Sequence, residues 1–247
     1  MAFPLETIGA MALIALAAYT IVGLSGFGSA LVTIPLLAHF FPLQTILPML
    51  VLIDFTATLT NGLKFREDID LGELKTVVPT MFIGIAIGVT MLSRLPGGAL
   101  LPVLGLSILG YGIYRLREPM VKNFLSPKWG YGVGFMGGLI GGLFGIGGPI
   151  YATYLSRRTN DFARMRATMS AIFTVSTGIR IAAFLIAGLL LNPEVWWGVA
   201  IILPFMFIGL NIGHRLHGRL QAKHLSIFIS VLLIASGMSL VMRAFTS

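Results

Sequence analysis

Apolar segments long enough to cross a membrane recur from one end of this 247-residue chain to the other. A helix needs about 20 apolar residues to cross a hydrocarbon core of roughly 30 Å. Charged residues make up only 11% of the chain, less than half of the roughly 25% that is typical of soluble domains. The sequence therefore predicts an all-α integral membrane protein that forms a single membrane domain over residues 1–247.

The chain also contains an internal repeat. PTMFIGIAIG (79–88) and PFMFIGLNIG (204–213) agree at 7 of 10 positions, an offset of 125 residues. Further upstream, GLSGFG (23–28) pairs with GLFGIG (142–147) at an offset of 119. Self-similarity of this kind predicts a duplicated architecture, with a first repeat over 1–120 and a second over 121–247.

Each repeat divides into five apolar pieces. The pieces are 5–24, 29–41, 43–65, 71–93 and 97–117 in the first repeat, and 129–144, 149–156, 166–190, 194–213 and 225–244 in the second. The first two pieces of each repeat are joined by a glycine motif and form a broken helical hairpin, either two short spans or one re-entrant hairpin. The other three pieces are predicted transmembrane helices.

Basic residues indicate how the chain is oriented, because cytoplasmic loops are enriched in Lys and Arg. If each hairpin crosses twice and the N-terminus lies outside, 14 of the 17 Lys and Arg residues face the cytoplasm. Only Arg94 and Arg243 lie outside, and Arg180 falls within a span. The odd number of elements per repeat predicts two inverted-topology repeats, an arrangement common among transporters. Since this basic rim accounts for the net charge of +8, no nucleic-acid partner is predicted.

The two glycine motifs, GLSGFGSALVTIP (23–35) and GLFGIGGPIYATY (142–154), are the first candidate site. Glycine and proline interrupt helices, and a helix that begins after such a break directs free N–H groups toward an anion. The alternative is that these glycines only permit close helix packing. The predicted substrate-binding residues are Ser25, Gly26, Phe27, Gly28 and Ser29 in the first motif and Gly145, Ile146, Gly147 and Gly148 in the second.

Polar residues within the spans provide a second set of candidates. Arg180 lies inside 166–190, beside a helical stripe of hydroxyls that ends at Thr177, and the 119-residue offset matches it to Asn61. A cation at this depth usually marks a transport pathway or an ion pair. Arg180 is therefore predicted to bind substrate, with structural pairing and snorkelling as alternatives. Asp54 is either its ion-pair partner or a proton-coupling carboxylate.

The glycine motifs carry a family resemblance. A duplicated membrane protein of this size with G-x-S-G-F-G-S near its start and G-x-x-G-I-G-G-P at the matching place in its second half resembles the TauE/SafE sulfite-exporter family. The resemblance implies a secondary transporter or facilitator that exports sulfite, organosulfonates or related small sulfur-containing anions across the bacterial inner membrane. The alternatives are an anion channel and a transporter of another small organic anion such as a carboxylate.

Enzymatic activity is disfavoured by the residues that are missing. The chain has no cysteine, no phosphate-binding G-x-x-x-x-G-K-[ST] motif and no H-E-x-x-H metal motif. No catalytic residue, metal or cofactor is therefore predicted. The expected partners are a small anionic substrate and membrane lipid, which Trp129, Trp196 and Trp197 contact as interfacial anchors. A homodimer is left open.

Overall fold

The computed structural model describes residues 3–25, 28–62, 68–117, 125–216, 231, 234–235 and 237–242. Every regular element in these ranges is a helix, which confirms the all-α prediction. The helices are α1 (Leu5–Ser25), α2 (Ser29–Leu37), α3 (Leu43–Gly62), α4 (Leu71–Arg94), α5 (Gly97–Arg117), α6 (Trp129–Phe144), α7 (Gly148–Ser156), α8 (Phe162–Ile186), a 3-10 helix (Leu189–Leu191) and α9 (Pro193–Leu216). Part of the last predicted piece is also described, and its residues 237–242 are helical.

Four of these helices are long and apolar enough to cross a membrane. Within the described residues, the spans are Leu5–Leu24, Leu71–Arg94, Ala163–Ile186 and Pro193–Leu216, and shorter apolar helices cover Leu43–Leu59 and Pro102–Ile113. Helix α4 buries Met81 and Ile85, yet its opposite face exposes Phe82 and Ile83 by more than half. A helix that is apolar on both its buried and its exposed face is typical of a membrane environment.

The observed boundaries of α8 differ from the predicted piece 166–190. The helix begins four residues earlier, at Phe162, because the Asp161 side chain accepts hydrogen bonds from the Ala163 and Arg164 amides and caps it. It ends four residues earlier as well, at Ile186, and Gly188 then adopts a left-handed φ of 74°. An N-cap carboxylate and a left-handed glycine are common helix signals, and here they override the hydropathy pattern.

The described chain divides into two compact units, each containing parts of both predicted repeats. Unit 1 contains residues 1–46, 95–121 and 200–247, which include α1, α2, α5 and most of α9. Unit 2 contains residues 47–94 and 122–199, which include most of α3 together with α4, α6, α7 and α8. The units are therefore not the sequence repeats, and the repeats and their inverted topology remain predictions.

In unit 2, glycines bring α4 and α6 into backbone contact. A Cβ atom built on Gly84 would lie 2.7 Å from the amide nitrogen of Leu139, and one built on Gly88 would lie 2.8 Å from that of Leu143. Real Cβ atoms essentially never approach backbone this closely. The glycines of α4 are therefore required for its packing against α6, as in other small-residue helix interfaces.

In unit 1, α9 packs against α1 in the same way. A Cβ atom on Gly209 would lie 2.7 Å from the carbonyl oxygen of Leu16 and 3.0 Å from the amide nitrogen of Thr20. One on Gly213 would lie 2.7 Å from the Cα of Gly23. Glycine again sets the distance between the two helix backbones.

These two interfaces use equivalent positions. Gly84 and Gly209 are separated by the 125-residue offset, and their nearest amide groups, those of Leu139 and Thr20, are separated by the 119-residue offset. The fourth helix of each repeat therefore packs on the first helix of the other repeat. These contacts follow the offsets of the predicted repeats, and each compact unit combines helices from both halves of the chain.

Candidate functional site

The first glycine motif is only partly within the described residues. Gly26, Phe27 and the side chain of Ser25 lie outside them. Gly28 precedes α2 with a left-handed φ of 106°, a conformation that residues with a Cβ rarely adopt. Ser29, the first residue of α2, is buried. Helix α1 ends at Ser25 and α2 begins at Ser29, so the predicted helix break at this motif is confirmed. Contact between the motif and a substrate remains a prediction.

The second motif is fully described and forms the sharp connection between α6 and α7. Gly145 ends α6 with a left-handed φ of 75° and donates its amide hydrogen to the Gly141 carbonyl oxygen at 2.9 Å. Ile146, Gly147 and Gly148 follow it and are buried. The motif therefore lies inside the unit, at a place where a longer side chain would collide with neighbouring backbone or side chains.

Backbone donors at the start of α7 are fewer than the motif suggested. Pro149 has no amide hydrogen, and the Ile150 amide donates to the Gly147 carbonyl oxygen at 3.2 Å. The Tyr151 amide also donates to that oxygen, at 3.5 Å. The Ile150 and Tyr151 amides are therefore used within the helix and are not available to an anion near this turn.

Arg180 lies in the last third of α8, six residues before its end at Ile186, and is 5% exposed. Its guanidinium carbon is 5.6 Å from the centroid of the Phe184 ring, within cation–π range. Asp54 on α3 interacts with it electrostatically. Within the described residues, its Nε atom has no hydrogen-bond partner. A buried, partly unsatisfied guanidinium is the kind of group that binds an anion.

Tyr151 on α7 is a site residue that the sequence analysis did not select. Its ring is 1% exposed and makes a T-shaped contact with Phe173, with the ring centroids 6.3 Å apart. Its hydroxyl has no hydrogen-bond partner among the described residues, although Ser176 is a close neighbour. The hydroxyl and Arg180 interact electrostatically. The position of this tyrosine one turn after Gly147 was the available sequence signal.

The remaining predicted polar residues differ in what they offer a ligand. The Thr177 hydroxyl donates to the Phe173 carbonyl oxygen at 2.8 Å and lies 3.1 Å from that of Thr174. Its proton is thus used by the backbone of its own helix. Asn61 belongs to α3, but its side chain lies outside the described residues. Both remain candidates from the sequence pattern alone.

A second polar cluster lies at one end of unit 2. Glu73, in the first turn of α4, is buried and accepts hydrogen bonds from the Tyr154 hydroxyl and from Arg158 Nε, both at 2.6 Å. Arg158 also donates to the Leu125 carbonyl oxygen at 2.8 Å. Partial burial lowers the pKa of Arg158, but the hydrogen bond and negative charge of Glu73 raise it, and the pKa lies above its ordinary value.

This cluster brings together three loops that were predicted to face the cytoplasm. A second ion pair joins Arg164 to Asp70 at 2.9 Å, and the Thr168 hydroxyl accepts a hydrogen bond from the Asp70 amide. A small cavity of about 100 Å³ opens here. It is lined by Asp70, Glu73, Leu155, Arg158, Thr159, Arg164, Met165 and Thr168. From the sequence, these charges were predicted only as part of the cytoplasmic rim. The burial of Glu73 was not predicted.

No metal-binding group was found in the described part of the chain. No three His, Cys, Asp or Glu side chains are positioned there to share a metal ion. The donors that converge within unit 2 are instead the Arg180 guanidinium and nearby hydroxyls, beside the Asp54 carboxylate that interacts with Arg180. The guanidinium and hydroxyls are hydrogen-bond donors suited to an anion rather than ligands for a cation.

Apolar helices, two of them joined by a glycine turn, and a guanidinium buried on α8 define a polytopic membrane protein with an internal polar site, the class that includes membrane transporters. The family model for the sulfite exporter TauE/SafE matches residues 11–240. The chain belongs to this family, as its motifs predicted, and it is a membrane transporter.

A curated relative agrees with this assignment. The "Probable inner membrane transporter protein TsaS" of Comamonas testosteroni is 31% identical over 196 residues, which cover 78% of this chain and 81% of the relative. Together with the apolar helices, these similarities confirm the predicted localisation as a multi-pass protein of the inner membrane. No solved structure matches the chain.

Proposed function

We propose that this protein is a secondary transporter or facilitator that exports small sulfur-containing anions, such as sulfite or organosulfonates, across the bacterial inner membrane. The observation that carries the proposal is Arg180, a cation buried within the apolar helix α8 with an unpartnered Nε among the described residues. The description of the family as sulfite exporters supports the choice of substrate class.

The chemistry of a guanidinium suits this substrate class. Its N–H groups form a planar fork that binds two oxygens of one oxyanion at once, and it stays protonated at any physiological pH. A lone cation in hydrocarbon costs at least about 2.5–3.5 kcal/mol on insertion scales. An anion bound at Arg180 offsets part of that cost, which gives the binding site a thermodynamic basis.

Membrane voltage supplies a driving force for export. Because the cell interior is negative, moving one anion outward is downhill by about 2.3 kcal/mol per 100 mV, roughly a fortyfold concentration ratio. Export then requires no coupled ion, and Asp54 serves to balance the charge of Arg180. In the other version, Asp54 relays protons and a pH gradient drives the anion.

Transport in proteoliposomes tests the proposal. We expect purified protein to move sulfite or methanesulfonate down an imposed voltage set by potassium and valinomycin. Arg180→Ala should abolish this flux, and Arg180→Lys should weaken methanesulfonate binding about tenfold or more, because lysine keeps the charge but lacks the planar fork. Arg94→Lys, at the exposed end of α4, is the matched control and should transport normally.

Four results would contradict parts of the proposal. Unchanged anion affinity in folded Arg180→Ala would remove this residue from the site. Flux that ignores voltage, follows the pH gradient and becomes uncoupled from it in Asp54→Asn would replace the voltage-driven version with proton coupling. Non-saturable flux without substrate counterflow would indicate a channel, and flux of carboxylates alone would change the substrate class.

A further inference from the structure

Helix α7 carries two tyrosines that are equally buried but differ in their hydrogen bonding. Tyr151 and Tyr154 are each 1% exposed. The Tyr154 hydroxyl donates to Glu73 Oε2 at 2.6 Å. The Tyr151 hydroxyl, by contrast, has no hydrogen-bond partner among the described residues. Since nearly all buried polar groups in native proteins are satisfied, the Tyr151 hydroxyl requires an explanation.

Packing holds the Tyr151 ring in place. On one side it lies against α6, where a Cβ atom built on Gly137 would be 2.6 Å from the ring carbon Cζ. On another side it contacts the edge of Phe173 at an interplanar angle of 80°. The absence of a side chain at position 137 makes room for the ring, and the two contacts leave it little freedom to swing away. The direction of the hydroxyl is therefore set by the fold.

The Tyr151 hydroxyl lies close enough to Arg180 for the two groups to interact electrostatically. Arginine is purely a donor, and its Nε–H is also unpartnered within the described residues. Ser176 lies beside the Tyr151 hydroxyl without reaching hydrogen-bond geometry. Two buried donors thus share one neighbourhood and lack an acceptor. An anion with oxygen atoms supplies acceptors for both.

We infer that the Tyr151 hydroxyl donates a hydrogen bond to the transported anion, which binds between Tyr151 and the guanidinium of Arg180. This inference rests on the proposed function and adds a binding residue from α7, the short helix that follows the second glycine motif. It gives that motif a role: the Gly145–Gly148 turn and Gly137 position Tyr151, so that the broken hairpin contributes a side chain to the site.

The test compares two phenylalanine substitutions on the same helix. In Tyr151→Phe the ring and its packing are kept and only the hydroxyl is lost. We expect methanesulfonate to bind this variant about 10- to 100-fold more weakly, the loss associated with one hydrogen bond to a charged group. Tyr154→Phe is the matched control, and its affinity for methanesulfonate should stay within about twofold of the wild type.

Thermal stability without added anion gives an independent readout of opposite sign. Tyr151→Phe removes a buried hydroxyl that lacks a protein partner, so its melting temperature should equal or exceed that of the wild type. Tyr154→Phe removes a donor to the buried Glu73 carboxylate and should melt at a lower temperature.

Affinity is measured by calorimetric titration with sodium methanesulfonate against a sodium chloride background of equal ionic strength.

The inference and the proposed function fail in different ways. Loss of binding in Arg180→Lys combined with wild-type affinity in Tyr151→Phe would overturn the inference alone. Equal losses of affinity in Tyr151→Phe and Tyr154→Phe would also overturn it, because they would indicate a general effect of α7 packing. Unchanged affinity in the Arg180 variants would instead remove Arg180 from the site, and the binding site of the proposed function and the inference would then fail together.

Discussion

Replacing Glu73 with glutamine should destabilise the protein much more than an ordinary change of one charge. Glu73 is buried at the start of α4 and accepts hydrogen bonds at 2.6 Å from both Tyr154 on α7 and Arg158 beyond it. Glutamine keeps the shape of the side chain and one acceptor oxygen. It removes the negative charge that strengthens both hydrogen bonds, and it leaves the Arg158 guanidinium without a counter-charge at this position.

The size of the effect follows from these contacts. Hydrogen bonds to charged groups contribute roughly 1.5–3 kcal/mol each, and neutral ones roughly 0.5–1.5 kcal/mol. Weakening two bonds should therefore cost about 2 kcal/mol, with water partly compensating Arg158, whose side chain is 22% exposed. For a chain of this length, 1 kcal/mol corresponds to about 2–4 °C in melting temperature. We expect Glu73→Gln to melt about 4–8 °C below the wild type.

A thermal unfolding assay in detergent, followed by intrinsic fluorescence, measures this difference. The control is Glu194→Gln, which removes an exposed carboxylate from the first turn of α9 and should shift the melting temperature by only about 1–3 °C through the helix dipole. Combining Glu73→Gln with Arg158→Gln should cost less than the sum of the two single changes. If Glu73→Gln melts within about 1 °C of Glu194→Gln, the buried network does not stabilise the protein as argued.

Two further predictions concern packing and topology. Gly138→Ala places a Cβ atom 2.9 Å from the Cα of Met81 and should destabilise the protein by about 1–3 kcal/mol. The control Gly132→Ala, on the same helix, adds a Cβ atom that meets nothing within 4 Å and should be neutral or stabilising. Equal melting temperatures of the two variants would contradict the role given to the α4–α6 interface. Asn160→Cys adds a thiol to the exposed loop before the Asp161 cap. Because this loop is predicted to face the cytoplasm, an impermeant maleimide should leave the thiol unlabelled in intact cells. Labelling in intact cells would contradict the predicted orientation.

The helical type of the described elements followed from the sequence because hydropathy and glycine breaks are local signals. Gly28 and Gly145 were identified as break points, and both adopt left-handed conformations. The partners of the helices were harder to predict. Nothing local in α4 specifies that it packs on α6 rather than on another helix.

The candidate site was predicted only in part for a related reason. Arg180 was identified because a mid-span cation is costly and therefore informative. Tyr151 and Glu73 were missed, since their importance comes from burial and from neighbours distant in sequence. A tyrosine two residues after a proline and a glutamate near the start of a helix are unremarkable in a linear pattern. Only the three-dimensional contacts distinguish the unpartnered Tyr151 hydroxyl from the satisfied Tyr154 hydroxyl.

The equivalent α4–α6 and α9–α1 interfaces bear on how this protein arose. Each repeat supplies a glycine-lined helix whose partner surface lies on the other repeat, so a half-length chain made alone would leave both surfaces uncovered. Two separate copies of one half could cover them by reciprocal exchange, as in domain-swapped dimers. Gene duplication and fusion would then convert a contact between two chains into a contact within one. Co-expressing residues 1–120 and 121–247 as separate polypeptides would show whether two half-length chains can assemble through these interfaces.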